Sequence, residues 1–124
     1  MDRRDRVALL SVFDADASML VEQPGRQPGT LRGHAELGRL VKIVARWPRT
    51  LHLVDPGLFT VEGPSAAGEV GCTAHHFDSP EEGTGSDHIM HIVYRDQYRR
   101  GRNERWYIIH RHVIVTTTED RPAA

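Results

Sequence analysis

The sequence is poor in cysteine, in net charge and in long apolar runs, and each shortage excludes a class of protein. Its single cysteine, Cys72, rules out an internal disulfide and fits a reducing compartment, so we expect a cytoplasmic protein. No apolar run reaches the length of a membrane-spanning helix, and the first residues are charged where a signal peptide needs an apolar segment. We therefore predict no membrane partner.

The charges of the chain are balanced. Its 17 acidic and 16 basic residues give a formal net charge of −1. A domain that binds nucleic acid carries a basic patch that neutralises phosphates, and the densest basic cluster here is an arginine-rich stretch near residues 95–105. Because this cluster surrounds a predicted turn, we interpret it as a solvated surface and predict no nucleic-acid partner.

The 124 residues suffice for one domain with a single core. Apolar residues at helical spacing predict helices over residues 2–13 and 33–47, and Pro48 ends the second helix. A short strand is predicted between them, and later strands are separated by glycine and proline turns; the predicted strands cover residues 18–22, 50–54, 58–62 and 67–77. We expect one domain over residues 1–117 and a flexible tail over 118–124.

The longest regular stretch is a predicted hairpin over residues 88–115, with a turn at Gly101. Side chains along its first half alternate between two chemically different faces, one of which carries Met90, Ile92, Tyr94 and Asp96. A long hairpin needs further strands to be stable. We therefore expect a larger sheet, one face of which lines a pocket.

The order of the predicted elements is helix, strand, helix and then a meander of strands. No internal repeat and no linker divides the chain. Helices that precede a meander are typical of an α+β layer fold, in which they close one face of the sheet. We predict a curved antiparallel sheet wrapped around the N-terminal helices.

Six groups of residues, in order along nearly the whole chain, carry a resemblance to a known family. They are residues 2–5 (DRRD) with 13–17 (FDADA), 31–33 (LRG), 50–53 (TLHL), 74–76 (AHH), 94–98 (YRDQY) and 106–111 (WYIIHR). In these residues the chain resembles the SnoaL-like family of the nuclear transport factor 2-like superfamily. The resemblance implies a cone-shaped α+β fold with an apolar pocket at one end, and a homodimer formed through the outer face of the sheet.

That superfamily includes scytalone dehydratase and hexachlorocyclohexane dehydrochlorinase, and also proteins with no known catalysis. In these two enzymes an Asp of the first helix and a His of the first meander strand form a proton-abstracting dyad. Carried over by position, the resemblance implies catalytic roles for Asp2 and His52, with His76 as a second pocket histidine. A carboxylate beside one imidazole nitrogen fixes the tautomer and raises the basicity of the other nitrogen. The structural alternatives are that Asp2 caps the first helix and that His52 is an ordinary surface or core histidine.

Tyr94 falls where relatives of the family place a polar pocket residue. Asp96 shares its predicted face and needs a partner, for which Arg111 and Arg100 are the candidates. The predicted substrate-binding set is Tyr94, Asp96, Trp106, Cys72 and His110. Ordinary hairpin packing is the alternative for the aromatic residues, and Cys72 is also interpreted as an inert core residue.

The eight histidines raise the question of a metal site. Their spacing matches no compact zinc or iron signature, so we predict no metal, and we predict no other cofactor. Two functions then stay open. One is a cofactor-free lyase or isomerase, of dehydratase or cyclase type, that acts on an apolar or aromatic small molecule. The other is a non-catalytic ligand-binding or dimeric scaffold module of the same fold.

The chain departs from the family pattern at its start. Relatives carry additional helical turns before the dyad Asp, often with a Tyr immediately before it, whereas Met1 stands there in this chain. We expect either that the true start lies upstream or that the first helix is shortened and the pocket is open.

Overall fold

Seven strands form one curved, unclosed sheet in the computed structural model, which describes residues 2–124. The strands are β1 (Phe13–Glu22), β2 (Gly29–Arg32), β3 (Arg49–Val54), β4 (Leu58–Glu62), β5 (Ser65–Phe77), β6 (Ser86–Arg100) and β7 (Trp106–Pro122). Their order across the sheet is β2-β1-β7-β6-β5-β3, and β4 pairs with β5 beside β3. With three short helices, this architecture confirms the predicted α+β class. The pairing of β1 with β7 is parallel, unlike the antiparallel pairing predicted throughout.

The first helix, α1 (Arg6–Ser11), is shorter than the predicted helix at both ends. Asp5 is its N-cap, and the Asp5 carboxylate accepts a hydrogen bond of 3.0 Å from the backbone N–H of Ala8. Arg4 has a φ of 57°, a left-handed conformation that excludes a helix at this point. The alternative that Asp2 caps the helix is therefore wrong, and Phe13 begins a strand instead of ending the helix.

The second predicted helix is two helices, α2 (Gly33–Leu37) and α3 (Arg39–Val44). The break falls at Gly38, where glycine has low helical propensity and a Cβ would collide with the guanidinium of Arg6. The short strand β2 was not predicted, because it follows a loop rich in glycine and proline and is recognisable only by its pairing with β1.

The end of the chain also differs from the prediction. Strand β7 continues to Pro122, and its residues 118–122 pair with residues 86–90 of β6. The predicted tail from Thr118 is therefore wrong over these five residues. The sequence there is polar, but the ladder of backbone hydrogen bonds with β6 orders it.

The core joins the helices to the inner face of the sheet. Leu10 of α1 and the fully buried Leu37 of α2 belong to one cluster with buried side chains of β1, β5, β6 and β7. This packing leaves a space between α1, α3 and the sheet, and β3 reaches the rim of that space.

Candidate active site

The chain start is held against β3 by a series of hydrogen bonds. The Oδ1 of Asp2 lies 2.5 Å from Nδ1 of His52 and accepts from the hydroxyl of Thr50 at 3.0 Å, while Oδ2 accepts from the backbone N–H of His52 at 2.9 Å. Arg4 donates to the Thr50 hydroxyl at 2.7 Å and to the carbonyl oxygen of Trp47 at 2.9 Å. The two residues that family position pairs are thus in contact, and their catalytic role stays a prediction.

The contacts of Asp2 determine which nitrogen of His52 carries a proton. Partial burial would raise the pKa of Asp2, but the backbone N–H of His52, the His52 ring and the Thr50 hydroxyl outweigh it and hold this pKa below its usual value. An ionised carboxylate only accepts hydrogen bonds, so Nδ1 of His52 donates to Asp2, and the neutral form of the ring has its lone pair on Nε2. This is the tautomer that a general base needs.

A cavity of about 230 Å³ adjoins His52, and we call it the inner cavity. Most of its wall is apolar and comes from α1, α3, β1, β6 and β7; its polar residues are Gln23, Trp47, His52, His76, Tyr94 and Arg111. The volume is below the range of roughly 300–1,000 Å³ typical of sites for drug-sized ligands. The inner cavity therefore fits a small, largely apolar molecule. His52 lines the inner cavity with a side chain that is 18% exposed, and the side chain of Asp2, which contacts its Nδ1, is 33% exposed.

His76 lies deeper in the wall of the inner cavity and is 6% exposed. Its Nδ1 is 2.9 Å from the carbonyl oxygen of His88, and because a carbonyl only accepts, Nδ1 is the protonated nitrogen. Burial lowers the pKa of His76, although the bond to the His88 carbonyl opposes this, so the ring is neutral at neutral pH. The Trp47 and His88 rings pack around it, with centroids 5.3 Å and 5.9 Å from its own.

Arg111 brings a positive charge to the wall of the inner cavity. Its Nε and Nη2 donate to the two oxygens of Asp96 at 2.9 Å and 2.8 Å, and the Tyr98 hydroxyl donates to the same carboxylate at 2.8 Å. Burial would lower the pKa of Arg111, but the bonds and charge of Asp96 raise it, so the guanidinium stays charged. The Arg111 guanidinium also lies 4.2 Å from the centroid of the Tyr94 ring. The prediction that Arg111 pairs with Asp96 is confirmed, and the alternative that Arg100 does so is wrong.

Tyr94 is the one member of the predicted substrate-binding set that lines the inner cavity. Its side chain packs against the core cluster that contains the buried Cys72. Burial raises the pKa of the Tyr94 hydroxyl and of the Cys72 thiol, so both are neutral at neutral pH. Cys72 is a core residue and does not line the inner cavity, and its predicted contact with substrate stays untested. The Asp96 side chain is 0% exposed and fully engaged, so it supports Arg111 instead of reaching a ligand.

The last two predicted binding residues lie elsewhere in the structure. His110 is on the outer face of the sheet, because Arg111 beside it on β7 faces inward, and its Nδ1 is 2.7 Å from the Ser18 hydroxyl. Trp106 is 39% exposed beside the turn between β6 and β7. Neither residue lines the inner cavity, and both predictions of substrate contact stay untested. Residue type suggested them, but the strand register turns both side chains away from the inner cavity.

Sequence reasoning missed Thr50, Trp47 and Arg4 as parts of the site. A strand turns alternate side chains to one face, so the position of Thr50 two residues before His52 was a usable signal. Trp47 was interpreted only as the end of a helix. No pattern in the sequence near Arg4 indicates that its side chain contacts Trp47 and Thr50.

The outer face of the sheet holds a larger but more open depression of about 590 Å³. Its two histidines already have partners, since His112 contacts Glu22 at 2.8 Å and His110 contacts Ser18. We therefore assign the candidate site to the inner cavity, which His52 and His76 both line. His75 is half-buried and pairs with Asp87 at 2.6 Å.

Two further observations concern the part of the chain that the structure describes, residues 2–124. No group of three or more His, Cys, Asp or Glu side chains there is arranged to hold a metal ion. No helix in this range has the length and apolar character needed to cross a lipid bilayer. The expectation that Met1 occupies the family's Tyr position concerns a residue outside the described range.

Comparison with known proteins agrees with the geometry. The profile of the SnoaL-like domain matches residues 1–112. The chain belongs to the SnoaL-like domain family. No curated protein matches the sequence of this SnoaL-like chain.

Solved structures share the fold of this SnoaL-like domain at low sequence identity. Hexachlorocyclohexane dehydrochlorinase LinA-type3 from Novosphingobium barchaimii LL02 is 21% identical, with a TM-score of 0.78 over 99% of this chain and 81% of that one. A nuclear transport factor 2-like protein with a cystatin-like fold from Novosphingobium aromaticivorans is 21% identical, with a TM-score of 0.70 over 93% and 71%. Protein Kfla4162 from Kribbella flavida is 14% identical, with a TM-score of 0.72 over 95% and 93%. These likenesses establish the cystatin-like α+β fold.

Proposed function

We propose that this SnoaL-like protein is a cofactor-free lyase or isomerase that removes a proton from carbon in a small, largely apolar substrate. The observation that carries the proposal is the contact of 2.5 Å between Asp2 Oδ1 and His52 Nδ1 at the inner cavity. This contact leaves the lone pair of the His52 Nε2 available to a bound molecule. The resemblance to hexachlorocyclohexane dehydrochlorinase supports the same class of chemistry.

His52 acts as the general base in this proposal. Its Nε2 takes the proton from a C–H bond, and the ring becomes an imidazolium whose Nδ1–H remains bonded to Asp2. The Asp2 carboxylate stabilises that charge, and it orients the ring throughout the step. The apolar wall keeps water away, which strengthens the interaction between the two charges.

The electron pair of the broken C–H bond determines which product forms. In an elimination it becomes the second bond of a new C=C, and the leaving group departs with the electrons of its own bond to carbon. In an isomerisation the pair is delocalised onto a neighbouring carbonyl, and the imidazolium returns the proton to another carbon. Arg111, whose Nε and Nη2 are fixed by Asp96, supplies a positive charge near the developing negative charge in both reactions.

A panel of three small substrates tests the proposal. The first is hexachlorocyclohexane, assayed by the release of chloride. The second is a bicyclic β-hydroxyketone, assayed by the loss of water, and the third is 3-cyclohexenone, assayed by conjugation of its double bond with the carbonyl. Turnover should fall about 100-fold or more in His52→Ala, since general-base catalysis contributes at least that factor. The matched control is His91→Ala, because the His91 side chain is 42% exposed and lies outside the inner cavity. Turnover that survives His52→Ala would refute the role of His52.

A non-catalytic dimeric module is the second candidate, and apolar side chains exposed on β3 and β4, at one edge of the sheet, favour it. Leu53, Val54, Leu58, Phe59 and Val61 of β3 and β4 are 53–81% exposed. Burying them between two copies would remove apolar area from water. Sedimentation of the wild type and of Leu58→Glu tests this: a dimer that Leu58→Glu dissociates supports it, and a wild-type monomer excludes it. Absence of turnover across the panel, together with such a dimer, would favour the module over the enzyme.

A further inference from the structure

The first residues of the chain lie outside any helix, yet their side chains are bonded to β3. Helix α1 begins only at Arg6, and Arg4 has a left-handed φ of 57°. This conformation is uncommon for a residue with a side chain, and it persists only where other contacts compensate for its cost. The contacts here are made by Asp2 and Arg4, which reach the hydroxyl of Thr50 at 3.0 Å and 2.7 Å.

The Arg4 guanidinium joins two separate parts of the site. Its Nη1 donates to the Thr50 hydroxyl at 2.7 Å, and its Nη2 donates to the carbonyl oxygen of Trp47 at 2.9 Å. Thr50 is buried on β3, and Trp47 lines the inner cavity. Hydrogen bonds from a charged donor are stronger than those between neutral groups. Arg4 therefore anchors the chain start independently of the contacts that Asp2 itself makes.

The bond from Arg4 also determines the direction of the hydrogen bond between Thr50 and Asp2. A guanidinium only donates, so the Thr50 oxygen accepts from it, and the single hydroxyl proton is left for another acceptor. That acceptor is Oδ1 of Asp2, at 3.0 Å. The same Oδ1 contacts Nδ1 of His52. Arg4 thus acts on the position of the Asp2 carboxylate through Thr50.

Asp2 needs such support because of its place in the chain. Residues at a chain start are poorly ordered unless they are tied down. The partners of the Asp2 carboxylate, Thr50 and His52, both belong to β3, and the Asp2 side chain is 33% exposed, so water competes for it. A second anchor two residues away lowers the entropy that each Asp2 contact has to offset.

We propose that Arg4 is a positioning residue: by bonding to Thr50 and Trp47 it holds the chain start on β3 and keeps the Asp2 carboxylate against the ring of His52. The inference rests on the proposed function in treating that contact as part of the catalytic base. Arg4 is not among the residues that line the inner cavity, so it acts through Asp2 and not on the substrate.

The pKa of the Asp2 carboxyl group, measured by ¹³C NMR, reports whether Asp2 keeps its partners. Partial burial would raise this pKa, but hydrogen bonds from His52 and Thr50 hold it below its usual value in the wild type. In Arg4→Met it should rise toward that usual value, because the carboxylate leaves β3. The matched control is Arg3→Met, which removes the same charge from the adjacent, exposed residue and should raise the pKa much less.

Two results would overturn the proposal at this stage. One is a pKa of Asp2 that rises equally in Arg4→Met and Arg3→Met, since charge alone would then explain it. The other is a lower Tm in Arg4→Met with the pKa of Asp2 unchanged, which would make Arg4 a structural residue only.

Two further variants separate the side chain of Arg4 from its backbone conformation. Glycine adopts a positive φ without strain, so Arg4→Gly keeps the turn and removes the guanidinium. It should raise the pKa of Asp2 as Arg4→Met does. Arg4→Lys keeps a charged donor without the planar fork, so it should restore part of the wild-type value. Wild-type behaviour of Arg4→Gly would assign the positioning to the turn and contradict the role of the guanidinium.

Turnover separates this inference from the proposed function. With a substrate that the wild type converts, kcat should fall about tenfold in Arg4→Met while KM stays within about twofold, since a misplaced reacting group loses rate and not affinity. If His52→Ala abolishes turnover but Arg4→Met leaves kcat unchanged, this inference alone fails. If Arg4→Met raises the pKa of Asp2 but the wild type converts no substrate, the proposed catalysis fails and the positioning role stands.

A measurement on the wild-type protein keeps the test valid if the Arg4 variants do not fold. In an unrestrained arginine, rotation about the Nε–Cζ bond exchanges the two Nη groups, and ¹⁵N spectra show one averaged resonance for them. In Arg4 the two groups should give separate resonances, because Thr50 holds one and the Trp47 carbonyl holds the other. A single averaged resonance for Arg4 would contradict the proposal.

Discussion

The ion pair between Asp96 and Arg111 allows a stability prediction with a defined magnitude. The Asp96 side chain is 0% exposed and that of Arg111 is 22% exposed, and two hydrogen bonds of 2.9 Å and 2.8 Å join them. The substitution Asp96→Asn keeps the shape of the side chain but removes its charge. It also places an amide N–H₂ group where a carboxylate oxygen accepted a hydrogen bond from Arg111. Arg111 is then left charged and poorly paired.

The expected loss follows from the burial of that charge. Removal of one partner from a buried ion pair costs about 3–5 kcal/mol in the free energy of unfolding. Because Arg111 is partly accessible through the inner cavity, we expect the lower end of this range, about 3 kcal/mol. Replacement of both partners by apolar residues, Asp96→Leu with Arg111→Met, should be much less destabilising than Asp96→Asn alone, since no unpaired charge then remains.

Urea unfolding followed by circular dichroism measures these differences. The matched control is Glu69→Gln, which breaks the exposed pair of Glu69 and Arg95, 3.9 Å apart, and should change stability by less than about 0.5 kcal/mol. A loss under about 1 kcal/mol in Asp96→Asn would refute the reasoning, as would a double variant less stable than the single one.

Three further predictions concern the two ends of the chain. Thr50→Val should lower the free energy of unfolding by about 1 kcal/mol or more, because the hydroxyl donates to Asp2 and accepts from Arg4, whereas Thr50→Ser should not; urea unfolding checks this. Asp2→Asn should be less stable than the wild type at pH 7. Since the pKa of Asp2 is held below 3.8 in the folded protein, this difference should vanish as the pH falls below that value, and equal thermal stability at pH 7 would contradict it. Deletion of residues 118–124 should lower Tm by roughly 5 °C, because residues 118–122 pair with β6, and an unchanged Tm would mean that they are a dispensable tail.

The α+β class and the order of most elements, though not β2 or the division of the second helix, could be predicted from the sequence, because they follow from local signals. The alternation along β6, the turns around Pro56 and Gly63, and the change from helical to strand periodicity near residue 50 each act within a few residues. The pairing of Asp2 with His52 was expected only through the family resemblance, since nothing local connects positions 50 residues apart.

Only the tertiary structure decided which of the chemically capable residues share the inner cavity. Trp106, His110 and Cys72 have suitable side chains, but strand register and depth in the core direct them elsewhere. The same packing determined that His76 is an acceptor, because the carbonyl oxygen that fixes its proton belongs to the neighbouring strand. Local periodicity determines which element a residue joins. Its partners, burial and protonation state depend on residues distant in sequence that reach it only when the sheet is assembled.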